Sequence, residues 1–208
     1  MIVLVAGTGT EVGKTWVAAA ALRILRGRGF TVAARKPVLS HDPSDDTTDA
    51  DLLAEATGEP VDQVCPAHRR YPVAMAPPIA ATVLGRPRFT IADLVAETRA
   101  TPDGVVLLES AGGVRSPLAD DGDTVTLAGA LDPALVVLVA DAGLGTINAV
   151  RLSVGALAGH RVAVFLNRFD ERDDVHVGNR DWLRTREGLE VVTDLEALAD
   201  VVSGIATR

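Results

Sequence analysis

Apolar residues fall along this chain in short unbroken runs, each closed by a glycine, a charged residue or a helix-like stretch. Ile2-Val3-Leu4-Val5-Ala6 is the first, and Thr31 to Lys36, Gly104 to Glu109, Ala134 to Ala140 and Arg161 to Asn167 follow. Runs without polar alternation predict strands buried on both faces. Between them the apolar positions recur at helical spacing. Trp16 to Arg28 places Val17, Ala20, Ala21, Ile24 and Leu25 on one face. Thr48 is positioned to cap a helix through Leu52, Leu53 and Ala56 to Gly58, and Thr90 one through Leu94, Val95 and Thr98. Asn179 to Leu183 reads as helix, Leu189 to Val192 follows, and a last helix begins at Asp194. Five apolar strands alternating with helices predict an α/β fold with a doubly wound, mostly parallel sheet, formed as a single domain over residues 1–208.

Composition supports this and narrows the function. Hydrophobic residues make up 48% of the 208 but aromatics only 3%, so the core must be Val, Leu, Ala and Ile. The net charge is −8, with no basic run or interleaved aromatics, which argues against a nucleic-acid surface. No apolar stretch reaches the ~18 residues of a membrane span and no signal-peptide pattern is present, so a cytoplasmic location away from membranes is expected. Cys65 stands alone, which excludes an intrachain disulfide and a Cys-based metal cluster, and it reads as a small packing residue.

Candidate chemistry begins where the first run ends, at Gly7-Thr8-Gly9-Thr10-Glu11-Val12-Gly13-Lys14-Thr15. A strand, a glycine-rich turn and a helix in that order make a phosphate cradle: backbone N–H groups line a concavity and the helix N-terminus adds partial positive charge. Lys14 then reaches the β- and γ-phosphates of a nucleotide, and the Thr15 hydroxyl sits on Mg²⁺. This makes the fold P-loop NTPase-like. Glu11 is unusual inside such a loop. Its carboxylate would repel triphosphate and makes sense facing a cationic substrate or a metal ion.

The 20 basic residues include two lysines, Lys14 and Lys36; the other 18 are arginine. A lysine approaches a phosphate as a compact point charge, where arginine is a planar fork. Pro37 holds Lys36 extended at the C-terminal end of its strand, the edge where open parallel sheets bind ligands. Glu109 ends a buried strand, as the second carboxylate beside a P-loop often does, and Ala111-Gly112-Gly113 lets backbone approach a ligand. Gly145 to Asn148 opens a helix whose free N–H groups form an anion site.

The loop spelling resembles that of dethiobiotin synthetase, which makes a ureido ring from a vicinal diamine, CO₂ and ATP. Lys36-Pro37-Val38 followed by Ser40 matches that family's second motif, with His41 where glycine is usual. Asp49 matches its Mg²⁺-associated Asp ahead of the Leu52-Leu53 pair, with Asp51 as a rival. Tyr71 to Ala81 resembles its substrate-proximal segment, a short Pro-containing stretch ending in an alanine-rich helix. Glu109-Ser110-Ala111-Gly112-Gly113 matches except at Ser110, and Gly145-Thr146-Ile147-Asn148 matches up to Ala149, where the family has His. Asn167 matches its purine-contacting Asn, Arg168 stands where Asp is frequent, and no proline after Pro133 is present to build its base-contacting loop.

The resemblance spans the chain and implies a homodimeric ligase acting on 7,8-diaminononanoate. It puts ATP on Gly9, Thr10, Glu11, Val12, Gly13, Lys14, Thr15 and Asn167. It assigns Lys36, Lys14, Glu11 and Thr10 to catalysis, and Mg²⁺ to Thr15, Asp49 and Glu109. Substrate contacts fall to Ser40, Gly112, Gly113 and, across the dimer interface, Gly145, Thr146, Ile147 and Asn148. Three alternatives stand beside it: a paralogue acting on another diamine, a non-catalytic nucleotide-binding protein, and a ParA/MinD-like regulatory ATPase. The last needs a lysine where this chain has Gly9.

Overall fold

The computed structural model describes residues 1–98 and 103–206. The chain opens with β1 (Ile2–Gly7), α1 (Lys14–Gly27), β2 (Val32–Arg35) and the short β3 (Leu39–Ser40). Then come α2 (Asp49–Thr57), α3 (Val61–Val64), β4 (Arg70–Tyr71), α4 (Pro77–Val83) and α5 (Ile91–Thr98). The second half runs β5 (Val105–Glu109), the small pair β6 (Pro117–Ala119) and β7 (Gly122–Asp123), α6 (Thr124–Leu131), β8 (Leu135–Asp141) and α7 (Thr146–Ala156). It closes with β9 (Val162–Asn167), α8 (Asp174–Thr185), β10 (Glu190–Val192) and α9 (Leu195–Ala206).

Six strands form one parallel sheet in the order β10-β9-β8-β1-β5-β2. The sequence pattern predicts five of them. The sixth, β10, is three residues long and opens on a glutamate, so no apolar run announces it. Away from this sheet, β3 pairs with β4 in parallel and β6 with β7 antiparallel.

Strand side chains alternate between faces, and both faces are covered. Val3 and Val5 join Leu22, Leu25, Leu53 and Ala199, so α1, α2 and α9 pack on one side. Leu4 and Ala6 join Leu94, Leu127, Val150 and Leu183, so α5, α6, α7 and α8 pack on the other. Among the described residues no helix is long and apolar enough to cross a membrane.

Strand order decides what meets at the C-terminal edge. β5 lies between β1 and β2, with Val5 beside Glu109 and Arg35 beside Leu108. Glu109 therefore ends between the glycine-rich loop that follows β1 and the Lys36 that follows β2. The Lys36 N–H donates to Val64 O at 2.7 Å, which anchors the residue just past the strand.

Cys65 lies in the core on the α1 side, and burial pushes its thiol up to about 12. A thiol so shielded forms almost no thiolate at neutral pH. The native protein is therefore expected to resist a thiol-specific chromogenic reagent until denaturant is added. Rapid labelling of the native form would show that this segment opens.

Candidate active site

The glycine-rich loop is shaped by contacts on its outer side. The Thr8 N–H donates to Val139 O at 3.0 Å, which prolongs the β1–β8 ladder. Two loop residues are left-handed, Glu11 with φ 58° and Gly13 with φ 91°. Only glycine fits at position 13, because a Cβ there would lie 2.1 Å from Asn167 Nδ2. The Asn167 amide donates instead to Val12 O at 2.9 Å, and Arg168 Nη2 donates to Glu11 O at 2.9 Å. α1 then starts at Lys14, whose ammonium folds over the loop and donates to Gly9 O at 2.8 Å. Burial lowers the Lys14 pKa, and the nearby Lys36 charge lowers it further.

Behind the loop sits a cluster of charges. Lys36 Nζ lies 2.5 Å from Glu109 Oε1 and 2.8 Å from Asp49 Oδ2, and the Thr15 hydroxyl donates to the same Glu109 oxygen at 2.9 Å. Lys36 is 2% exposed and Glu109 1%, so neither charge is solvated by bulk water. Burial alone would lower the Lys36 pKa, but the Glu109 and Asp49 carboxylates outweigh it and hold the ammonium above its ordinary range. Burial alone would raise Asp49, and Lys36 outweighs that, so Asp49 stays below the usual carboxylate range. Burial pushes Glu109 upward against the pull of Lys36. Glu109 Oε2 is buried with no hydrogen-bond partner.

The rival carboxylates separate in the structure. Asp51 accepts from the Thr48 N–H at 2.8 Å and the Thr48 hydroxyl at 2.6 Å, forming the capping box of α2. Asp49, two residues earlier, faces Lys36 instead, with Oδ2 2.8 Å from its ammonium. Ser40 and Ser110 each carry a buried hydroxyl without a partner. Gly113 passes so close to the loop that a Cβ there would lie 3.2 Å from Thr8 O, and the Gly112–Gly113 turn is held by a bond from Gly113 N to Ser116 Oγ at 3.0 Å. Thr10 and Glu11 are exposed at the loop crest.

Further along the edge, Gly145 caps α7 with φ 93°; Thr146 is buried with an unpartnered hydroxyl, Ile147 is half-buried and Asn148 exposed. Among the described residues, this helix start makes no side-chain hydrogen bond or ion pair to the lysine cluster. Lys14, Thr15, Lys36, Asp49 and Glu109 thus form one group, Asn167 is tied to it through the loop, and Gly145 to Asn148 stands apart.

One feature lacks a sequence signal. A cavity of about 660 Å³ opens beside Gly13, bordered by Trp16, Asn167, Phe169 and the β10–α9 turn Thr193-Asp194-Leu195. That turn stands in the region where the family's proline-containing loop was expected. It carries no motif, so only the fold reveals it.

A six-stranded parallel sheet with a phosphate-cradling loop and a lysine–carboxylate cluster at its C-terminal edge defines a P-loop nucleotide-dependent enzyme. A family model described as an AAA domain matches residues 2–204. A plasmid partition protein from Borrelia burgdorferi shares the fold with TM-score 0.56 and 12% identity, over 99% of this chain and 96% of that one. The signal recognition particle receptor FtsY from Elizabethkingia anophelis does so with TM-score 0.52 and 16% identity, over 98% of this chain and 64% of that one. At such identities these likenesses speak for the fold alone.

Two relatives carry more. The ATP-dependent dethiobiotin synthetase BioD of Caulobacter sp. (strain K31) is 42% identical over 77% of this chain and 71% of its own length. That of Rhodococcus jostii (strain RHA1) is 41% identical over 94% of this chain and 86% of its own length. The chain belongs to the ATP-dependent dethiobiotin synthetases, ligases that form C–N bonds in biotin biosynthesis.

Gly13→Ala is expected to remove nucleotide binding, because the methyl must displace Asn167 and distort the loop. The left-handed backbone adds a cost of about 1–3 kcal/mol to folding. Calorimetric titration with ATP and denaturant melts check both; unaltered affinity would show that the loop tolerates the displacement.

Proposed function

We propose that this chain closes the ureido ring of dethiobiotin from 7,8-diaminononanoate and CO₂ at the expense of ATP, through a carbamate and its phosphorylated form. The observation that carries this reading is the buried Lys36 ammonium held between Glu109 and Asp49 at the lip of the P-loop. One substrate amine adds to CO₂ and loses a proton, giving the carbamate. A carbamate oxygen attacks the γ-phosphorus and the bond to the ADP oxygen breaks. The second amine attacks the carbamoyl carbon and loses its proton, the C–O bond to phosphate breaks, and phosphate leaves with the ring closed.

Protein groups contribute positioning and charge rather than covalent bonds. The loop N–H groups and Lys14 bind the phosphates. Lys36 neutralises the carbamate and γ-phosphoryl oxygens as two anions approach. Thr10, Glu11 and Ser40 face the diamine and its carbamate, with Glu11 suited to an ammonium. Gly112 and Gly113 let backbone approach the substrate. Asn167 meets the base in the cavity beside Gly13.

Thr15, Asp49 and Glu109 suit Mg²⁺, which takes oxygen ligands and few protein groups. The unpartnered Glu109 Oε2 is an oxygen of the right kind. Among the described residues there is no larger cluster of His, Cys, Asp and Glu. When bound, the ion supplies positive charge to the β- and γ-phosphates.

The enzyme acts in the cytoplasm as a homodimer. The start of α7 receives the distal carboxylate of a substrate bound at the neighbour's P-loop, so each site needs both protomers. In support, Leu144 just before α7 is 96% exposed and Leu152 on it is 68% exposed, flanking Asn148 with apolar surface that a partner would cover. Sedimentation is expected to give a dimer, and a substrate analogue lacking the carboxylate to bind more weakly by about 1–3 kcal/mol. Full activity from a strict monomer would exclude the shared site.

Lys36→Gln is expected to lower kcat roughly 10²-fold or more, as loss of a preorganised charge contact does, while KM for ATP changes much less. Lys36→Arg should rescue poorly, because a planar fork cannot occupy a site shaped for a point charge. Near-normal kcat in Lys36→Gln, or loss confined to ATP binding, would contradict this role.

A further inference from the structure

Two consecutive residues at the end of β9 grip two consecutive carbonyls of the phosphate loop. Asn167 Nδ2 donates to Val12 O at 2.9 Å, and Arg168 Nη2 donates to Glu11 O at 2.9 Å. A trans peptide places its N–H opposite its C=O. The Glu11 carbonyl shares a peptide plane with the Val12 N–H, and the Val12 carbonyl shares one with the Gly13 N–H. Pulling both carbonyls toward β9 turns both N–H groups the other way, away from β9.

The loop needs this restraint. Glu11 is a non-glycine residue at φ 58°, a conformation that side chains disfavour and that persists only where surroundings hold it. Arg168 is itself left-handed at φ 57°, a second unfavourable backbone that aims its guanidinium back at the loop. Its other nitrogen, Nη1, donates to Asp141 Oδ2 at 2.8 Å. Asp141 is fixed in turn at the end of β8, where its Oδ1 accepts from Gly143 N at 3.0 Å. The guanidinium fork therefore spans a rigid strand end and the loop crest, a task that needs two divergent donors.

We propose that Arg168 is a positioning residue for the phosphate loop: with Asp141 as its anchor, it holds Glu11 so that loop N–H groups are preorganised for polyphosphate. This rests on the chain binding its nucleotide through the P-loop. Arg168 borders the cavity beside Gly13 as well, so a contact to the base is the competing role, and the two differ in what they do to a ligand that has no base.

The test is calorimetric titration of wild type, Arg168→Ala and Arg168→Lys with ATP, CTP, GTP and inorganic tripolyphosphate, beside thermal melts. Arg168 is more than half exposed, so solvent screening keeps the effect modest. Arg168→Ala should weaken all four ligands by one common factor, roughly three- to tenfold, the size of one screened charged hydrogen bond. Arg168→Lys keeps a cation for Asp141 but has no second fork nitrogen for Glu11 O. It should match Arg168→Ala in affinity while melting like wild type. A loss confined to one nucleotide, with tripolyphosphate unaffected, would overturn the proposal and make Arg168 a base contact. Wild-type affinity in Arg168→Lys would overturn it too. Wild-type protein that bound neither ATP nor tripolyphosphate would remove the P-loop reading itself and the proposal with it.

Discussion

The site depends on one interaction, a lysine ammonium taken almost wholly out of water and satisfied by two carboxylates. A buried charge without partners is among the costliest features a fold can carry, and breaking such a pair from one side costs about 3–5 kcal/mol. Lys36 is 2% exposed and Glu109 1%, so each is tolerated because the other is there. Asp49, more open to solvent, is the second carboxylate, so with Lys14 folded over the loop the group sets two lysines against two carboxylates. Low dielectric strengthens each of these charges toward whatever enters.

Topology makes this meeting possible. Lys36 and Glu109 are 73 residues apart in the chain, yet the insertion of β5 between β1 and β2 sets their strand ends side by side. The same insertion lets a single Glu109 oxygen accept from both Thr15 and Lys36. On the other flank of β1, β8 and β9 bring Asp141, Asn167 and Arg168 to the outer side of the loop. The loop is thus held between a charged cluster on one side and a hydrogen-bonded brace on the other.

Much of this was legible in the chain itself. Unbroken apolar runs located the five long strands, because strands buried on both faces need such runs, and Gly13-Lys14-Thr15 at a strand–helix junction located the phosphate site. Lysine scarcity and Pro37 pointed to Lys36. The sequence could not say that Lys36 would be bound by Asp49 and Glu109, since that follows from strand order. The family resemblance pointed to Asp49 and left Asp51 as a rival; hydrogen bonds to Thr48 place Asp51 in the cap. Arg168 stood out only as a departure from the family's frequent Asp, whereas its guanidinium reaches the loop. β10 and the turn after it were too short and too polar to signal either a sheet edge or a cavity wall.

In the proposed reaction the cluster brings a carbamate oxygen onto the γ-phosphorus, the step that sets two anions together where Lys36 stands. The most direct measurement follows the oxygen. Turnover in CO₂ labelled with heavy oxygen, under conditions that suppress exchange with water, should place label in inorganic phosphate as well as in the ureido carbonyl. Phosphate free of label, with dethiobiotin formed, would mean that the carbamate is never phosphorylated and that the charge cluster serves some other step.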